Sequence, residues 1–170
     1  KFSIVRYGNV IGSRGSVIPY FQSIASKHPK IPITDLRMTR FLITLQEAVK
    51  TVEHAFKNMV GSEIFVKKIP SVRIVDLAKA IAPECKIDEI GMRPGEKLHE
   101  QLISSDESSH TYEFDDYYKV LSPLNEWSLC SRRTKGGKKV VEGFHYTSDG
   151  NHSWLKGKEL IDWLDKVEYQ

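Results

Sequence analysis

At 170 residues, with 40% apolar and 28% charged side chains, the chain has the size and balance of one ordinary globular domain with a real core. Its net charge of +3 is too small, and its basic residues too dispersed, to point to nucleic acid, and no apolar run is long enough to span a bilayer. Cys85 and Cys130 show neither C-x-x-C nor metal-ligand spacing, and no charged leader precedes an apolar core, so the reading is a cytoplasmic protein with two free thiols.

The first seven residues, Lys1-Phe2-Ser3-Ile4-Val5-Arg6-Tyr7, open almost at once in a β-branched run, which predicts a buried strand of a parallel sheet. Such a strand needs neighbours, and the reading is therefore a C-terminal piece of a longer chain. Gly8-Asn9-Val10-Ile11-Gly12-Ser13-Arg14-Gly15-Ser16 follows, a small-residue loop at the edge where open α/β sheets bind ligands. It is neither a G-x-G-x-x-G fingerprint nor a P-loop, and a plain strand-to-helix connection is the alternative.

Helical spacing of Val17, Ile18, Phe21, Ile24 and Ala25 predicts a helix over residues 17–26. Ile31-Pro32-Ile33-Thr34-Asp35 reads as an extended edge segment, and residues 41–43 as a short strand. Thr44 with Glu47 forms a candidate capping box for a helix over residues 45–59, its apolar face drawn from Ala48, Val49, Val52, Ala55 and Phe56. Residues 63–67 read as a strand, Ser71 as the cap of a helix reaching Ala82, and residues 86–90 as a weak strand.

The chain then reaches Gly91-Met92-Arg93-Pro94-Gly95-Glu96-Lys97-Leu98-His99-Glu100. Pro94 and Gly95 predict a sharp turn, followed by a helix over residues 96–103. Arg93 offers a planar fork suited to phosphate and Glu96 an acceptor for sugar hydroxyls, and a nucleotide-sugar satisfies both. The alternatives are that the two side chains pair with each other, or that Glu96 and Glu100 merely favour a helix start. Glu96-Lys97-Leu98-His99 also has the Glu-x-x-His form of di-iron bundles, but its only companion, Glu142-Gly143-Phe144-His145, lacks a helical pattern, so no metal site is assigned.

Alternation of helices and strands through residue 103 marks an α/β region carrying the ligand loops, with residues 104–170 as a peripheral α+β tail of the same single portion. In that tail, residues 104–109 read as a polar loop and residues 111–121 as a strand pair turning at Asp115-Asp116. The basic run at residues 132–139 reads as a solvated loop or hairpin connection, residues 137–146 as another strand, and residues 157–167 as a helix with Leu160, Ile161 and Leu164 inward.

Three ordered motifs, residues 6–19, residues 33–41 and residues 93–100, resemble the C-terminal part of the configuration-inverting UDP-N-acetylglucosamine 4,6-dehydratases, members of the extended short-chain dehydrogenase/reductase superfamily. Phe144-His145-Tyr146-Thr147-Ser148-Asp149-Gly150-Asn151 with Trp154-Leu155 is similar to the pseudaminic-acid branch, which supplies sugars for flagellin glycosylation. The resemblance implies the last strands of a Rossmann-like parallel sheet plus a small mixed α/β substrate-binding domain. It also implies a partner, the N-terminal dinucleotide-binding domain of the same chain, and a homo-oligomeric full-length enzyme.

That family oxidises C4 of the sugar with tightly held NADP or NAD, eliminates water across C5 and C6, and returns the hydride to C6 with inversion at C5. Carried over, the resemblance places Tyr7 and Val10 along the nicotinamide and Asn9 on the sugar or phosphate of UDP-N-acetylglucosamine. Ser16 and Val17 meet the nucleotide through backbone groups, Ile33 and Thr34 flank the uracil, Arg40 and Arg93 clamp the pyrophosphate, and Glu96 holds the ribose. One departure is large: the family's glycine-rich fingerprint and its Tyr-x-x-x-Lys pair have no counterpart in residues 1–170, so no catalytic residue is assigned, no cofactor is expected on this stretch by itself, and the stretch is expected to be inactive. A UDP-sugar 4-epimerase or reductase of the same superfamily is the nearest alternative, and a non-catalytic nucleotide-sugar-binding module the next.

Overall fold

A computed structural model describes residues 1–13, 15–124 and 131–166; Arg14, Cys130 and Val167, which figure in the sequence reading, lie outside the described residues. In chain order the elements are β1 (Ile4–Arg6), β2 (Asn9–Val10), α1 (Val17–Ala25), β3 (Lys30–Ile33), β4 (Thr39–Ile43), α2 (Leu45–Asn58), β5 (Ile64–Lys67), β6 (Ser71–Arg73) and α3 (Ile74–Ile81). They continue with β7 (Lys86–Glu89), β8 (Gln101–Ile103), a 3-10 helix (Ser105–His110), β9 (Thr111–Glu113), β10 (Tyr117–Val120), α4 (Ser131–Thr134), β11 (Lys138–Lys139), β12 (Tyr146–Thr147) and α5 (Gly157–Lys166). None of the described helices is long and apolar enough to cross a membrane.

The elements sort into two compact units interleaved along the chain. The first takes Lys1–Tyr7, Gln46–Lys68 and Gln101–Thr147. Its main sheet runs β1-β5-β10-β9-β11, with β1 parallel to β5 and the other pairs antiparallel; β8 and β12 form a separate antiparallel pair. The predicted strand pair over residues 111–121 is present as β9 and β10, its turn at Asp115-Asp116. The parallel strand β1 is present too, but it is an edge rather than a buried strand, with Ile4 56% exposed. Residues 104–109 wind into the 3-10 helix because Ser104 and Glu107 close a reciprocal capping box. Residues 137–146 give two short strands, β11 and β12, in place of one.

Two charged side chains, Glu63 and Lys119, are built into this unit's interior. Glu63 is fully buried and accepts hydrogen bonds from the backbone of Val60 (3.0 Å) and Gly61 (2.7 Å) and from Ser3 (3.0 Å). Burial raises its pKa, but these donors more than offset that, and the carboxyl titrates below its ordinary value. Lys119, also buried, donates to the Arg133 carbonyl at 3.0 Å and lies over the Phe65 and Phe114 rings.

Helix α2 corrects the sequence reading. Ala48, Thr51 and Ala55 face inward, whereas Val49, Val52 and Phe56, assigned to its buried face, are 50%, 49% and 74% exposed. Periodicity finds an apolar stripe; it does not say what covers it.

The second unit takes Gly8–Leu45, Ile69–Glu100 and Ser148–Gln170. Here β2 runs parallel to β4 and β4 antiparallel to β6, while β3 and β7 form a parallel pair that accommodates Pro32. Helices α1, α3 and α5 close the core with Ile18, Phe21, Leu42, Leu77, Leu160 and Leu164. The outward Ile161, 46% exposed, departs from its expected inward place. Ser71 is likewise not a helix cap: it is fully buried in β6, held by Asn151 Nδ2 (3.0 Å) and by backbone bonds to Ser153 and Leu155.

Residues 96–103 are not helical. Gly95 sits at φ +80°, the Arg93 carbonyl accepts from the Glu96 amide (3.1 Å), and the chain runs on as a loop into β8. The loop carbonyls are already engaged by β4: the Thr39 amide donates to Leu98 O (3.1 Å), and Arg40 grips Leu98 O (3.1 Å) and Lys97 O (2.8 Å). With these carbonyls bonded across to β4, the segment runs alongside that strand instead of coiling into a helix.

Candidate nucleotide-sugar site

A cavity of about 560 Å³ opens within the second unit. Its floor and walls come from β2 (Asn9, Val10), the following loop (Ser13, Gly15, Ser16), α1 (Val17, Ile18, Tyr20, Phe21), the end of β3 (Pro32, Ile33, Thr34), β4 (Arg40, Leu42) and the turn at Arg93 and Glu96. The volume falls in the range of small-molecule sites, and the lining is mostly apolar with a few polar groups, the usual form of a ligand pocket.

All eight residues assigned to substrate therefore share one cavity: Asn9, Ser16, Val17, Ile33, Thr34, Arg40, Arg93 and Glu96. Val10 joins them. Tyr7 does not line it and belongs to the first unit. Ile11, Tyr20, Phe21, Met38, Ile74 and Ile90 complete the lining; Ile11 and Met38 fall within the motifs, and the other four lie outside them.

The polar groups differ in how free they are. Arg93 is exposed, and its guanidinium makes no hydrogen bond or ion pair among the described residues, so its whole donor fork is open to an anion. Arg40 is different. Nη1 donates to Thr39 O (2.7 Å) and Leu98 O, Nη2 donates to Lys97 O, and Nε lies 3.4 Å from Glu100. It lines the cavity while most of its N–H groups fasten the loop; burial pushes its pKa down, and Glu100 and Glu96 partly restore it.

Glu96 is held from two sides, accepting from Thr34 Oγ1 (3.1 Å) and from the Arg93 amide (3.1 Å). No Arg93–Glu96 side-chain ion pair occurs among the described residues, which removes the simplest non-ligand account of the pair. Ser16 is the N-cap of α1, yet its side chain makes no capping bond, and its buried Oγ has no partner among the described residues. A hydroxyl left unpaired at a helix N-terminus on a cavity wall suits a phosphate oxygen. Nearby, the Arg37 fork holds the Asp35 carboxyl down to about 2.

His99 Nδ1 lies 2.8 Å from Thr39 Oγ1, and no group of three metal-ligating side chains occurs among the described residues. Of the two positions assigned to a dinucleotide cofactor, Val10 lines the cavity and Tyr7 does not.

The UDP-N-acetylglucosamine 4,6-dehydratase (inverting) of Campylobacter jejuni subsp. jejuni is 48% identical over 175 residues, covering 99% of this chain and 52% of the relative. The UDP-glucose 4-epimerase of Rickettsia canadensis is 38% identical over 171 residues, covering 97% and 50%. The X-ray structure of Pen from Bacillus thuringiensis superposes with a TM-score of 0.86 at 35% identity, covering all of this chain and 51% of that one, which bears out the mixed α/β fold. The chain spans about half the length of the curated relatives it matches. Residues 1–122 match the family described as "Polysaccharide biosynthesis protein", and the chain belongs to that family.

Proposed function

We propose that the cavity binds a UDP-linked sugar and that the full-length protein is a UDP-N-acetylglucosamine 4,6-dehydratase of the inverting type. The observation that carries this reading is the convergence of Arg40, Arg93, Glu96 and the free Ser16 hydroxyl on one cavity, from segments far apart in sequence. Arg93 and the α1 N-terminus meet the diphosphate, Glu96 and Thr34 the ribose, and Ile33 the base; Asn9 faces the sugar. The 48% identity to the Campylobacter dehydratase supports this substrate over others.

The same reading assigns NADP or NAD, the Tyr-x-x-x-Lys pair and the proton transfers to the remainder of the full-length protein, a homo-oligomer of the cytoplasm. Residues 1–170 are the substrate-recognition portion and are inactive without it. The exposed Val49, Val52 and Phe56 on α2 are covered by that remainder, since an apolar stripe of this kind is costly to leave in water. The product enters surface-polysaccharide or pseudaminic-acid synthesis for flagellin glycosylation. A UDP-sugar 4-epimerase is the second reading, favoured by the Rickettsia relatives. Incubating the full-length protein with UDP-N-acetylglucosamine separates them by product mass: a dehydratase yields a product lighter by one water, an epimerase one of unchanged mass.

A further inference from the structure

Next to the cavity, but not lining it, the second unit contains a chain of side chains to which the resemblance assigns no role. The Glu100 amide donates to Ser148 Oγ (2.9 Å), Ser148 Oγ lies 2.6 Å from Thr39 Oγ1, Thr39 Oγ1 lies 2.8 Å from His99 Nδ1, and His99 Nε2 faces Asp149 at 3.9 Å. Thr39 is 3% exposed and Ser148 fully buried, so neither hydroxyl can turn to water. One order of donors gives every hydroxyl hydrogen an acceptor: Ser148 donates to Thr39, Thr39 donates to His99 Nδ1, and the imidazole carries its proton on Nε2 toward Asp149. The reverse order leaves the Ser148 hydrogen without an acceptor among the described residues.

We propose that Thr39, His99 and Ser148 act as a positioning relay for the cavity wall. The relay pins residues 98–100 against β4, at the place where Thr39 N–H and Arg40 hold the Leu98 and Lys97 carbonyls. Glu96 stands two residues before that pinned segment and Arg40 directly follows Thr39, so the two charged groups of the wall take their places from it. None of the three relay residues touches the cavity. His99 comes from the turn itself and Ser148 from the tail, which gives residues 148–149 a part in ligand binding. A hydrolase-like Ser-His-Asp role is excluded by the burial of both hydroxyls.

The proposal rests on the UDP-sugar reading only for its ligand probe. In the full-length protein, Thr39→Val, which keeps shape and removes the hydroxyl, and Ser148→Ala are each expected to weaken UDP binding about tenfold, roughly the loss of one buried hydrogen bond. Thr39→Ser, which restores the hydroxyl, is expected to bind within about twofold of wild type. Leu160→Ala, a core truncation in the same unit, lowers the melting temperature without changing UDP affinity measured below it, which separates positioning from general loss of stability. Amide exchange without ligand gives the second readout: Thr39→Val is expected to speed exchange at Glu96 and Glu100. If that exchange and the UDP affinity match wild type, or if Thr39→Ser fails to rescue, the relay is overturned. If wild-type protein binds no UDP but exchange at Glu96 still responds, the relay stands and the UDP-sugar reading falls.

Discussion

Thr34 Oγ1 donates to the Glu96 carboxylate across 3.1 Å, tying the end of β3 to a turn 62 residues away. The bond aligns the acceptor that the ribose is proposed to meet, and the second Glu96 oxygen is fixed by the Arg93 amide. Thr34→Val leaves the carboxylate held from one side only, with an expected three- to tenfold weaker UDP affinity, about 0.7–1.4 kcal/mol. Glu96→Gln is expected to cost at least as much, because it replaces a charged acceptor by a neutral one. Calorimetric titration of the full-length protein with UDP measures both.

The two arginines predict a division of effects. Arg93 has no hydrogen-bonded or ionic partner among the described residues, so Arg93→Ala is expected to weaken UDP binding at least about tenfold, for a charge-assisted bond of roughly 1.5–3 kcal/mol, and to leave the melting temperature unchanged. Arg40→Ala releases the Thr39, Leu98 and Lys97 carbonyls as well, and is expected to lower stability by about 1–3 kcal/mol in addition to lowering affinity. Titrations paired with thermal unfolding distinguish the two patterns. Equal melting temperatures for the two variants refute the division.

On α2, Phe56 is 74% exposed. If the rest of the full-length protein covers it, Phe56→Lys there is expected to cost about 1.5–3 kcal/mol in denaturant unfolding. The neighbouring Lys57→Ala, one residue on, is expected to stay within about 0.5 kcal/mol of wild type. Equal effects for the two would place this face in solvent in the complete protein.

Burial, with the Glu113 carboxylate adding to it, holds the Tyr118 phenol up to about 12, above its ordinary 10.0. A folded-state pKa raised above the unfolded one contributes stability that is fully present below pH 10 and is lost as pH rises through about 12. Tyr118→Phe removes this group's share of the alkaline slope. Unfolding curves collected across that window are expected to fall less steeply for the variant than for wild type.

Much of the scaffold was legible from local pattern: α1, β3, β5, β7, the β9–β10 hairpin and α5 follow from spacing, prolines and turn residues alone. The cavity residues were legible only because three motifs resembled a known family; nothing local tells that Asn9, Ile33 and Arg93 meet. The failures share one physical cause, which is pairing between distant segments. Residues 96–103 have helix-forming composition, but β4 had already claimed their carbonyls. Ser71 has the chemistry of a cap, but Asn151 and the tail backbone hold it in a strand. Thr39, His99 and Ser148 fall within segments that carry the resemblance, but nothing in their spacing tells that they meet.

Because each compact unit is assembled from three separated stretches of polypeptide, no single peptide bond can be cut to release one of them whole. During synthesis neither unit can close until the ribosome has passed residue 147, so both remain incomplete through most of translation. A nonsense mutation in the tail would remove Ser148 and the Asn151 clasp from Thr39 and Ser71, on strands built far upstream.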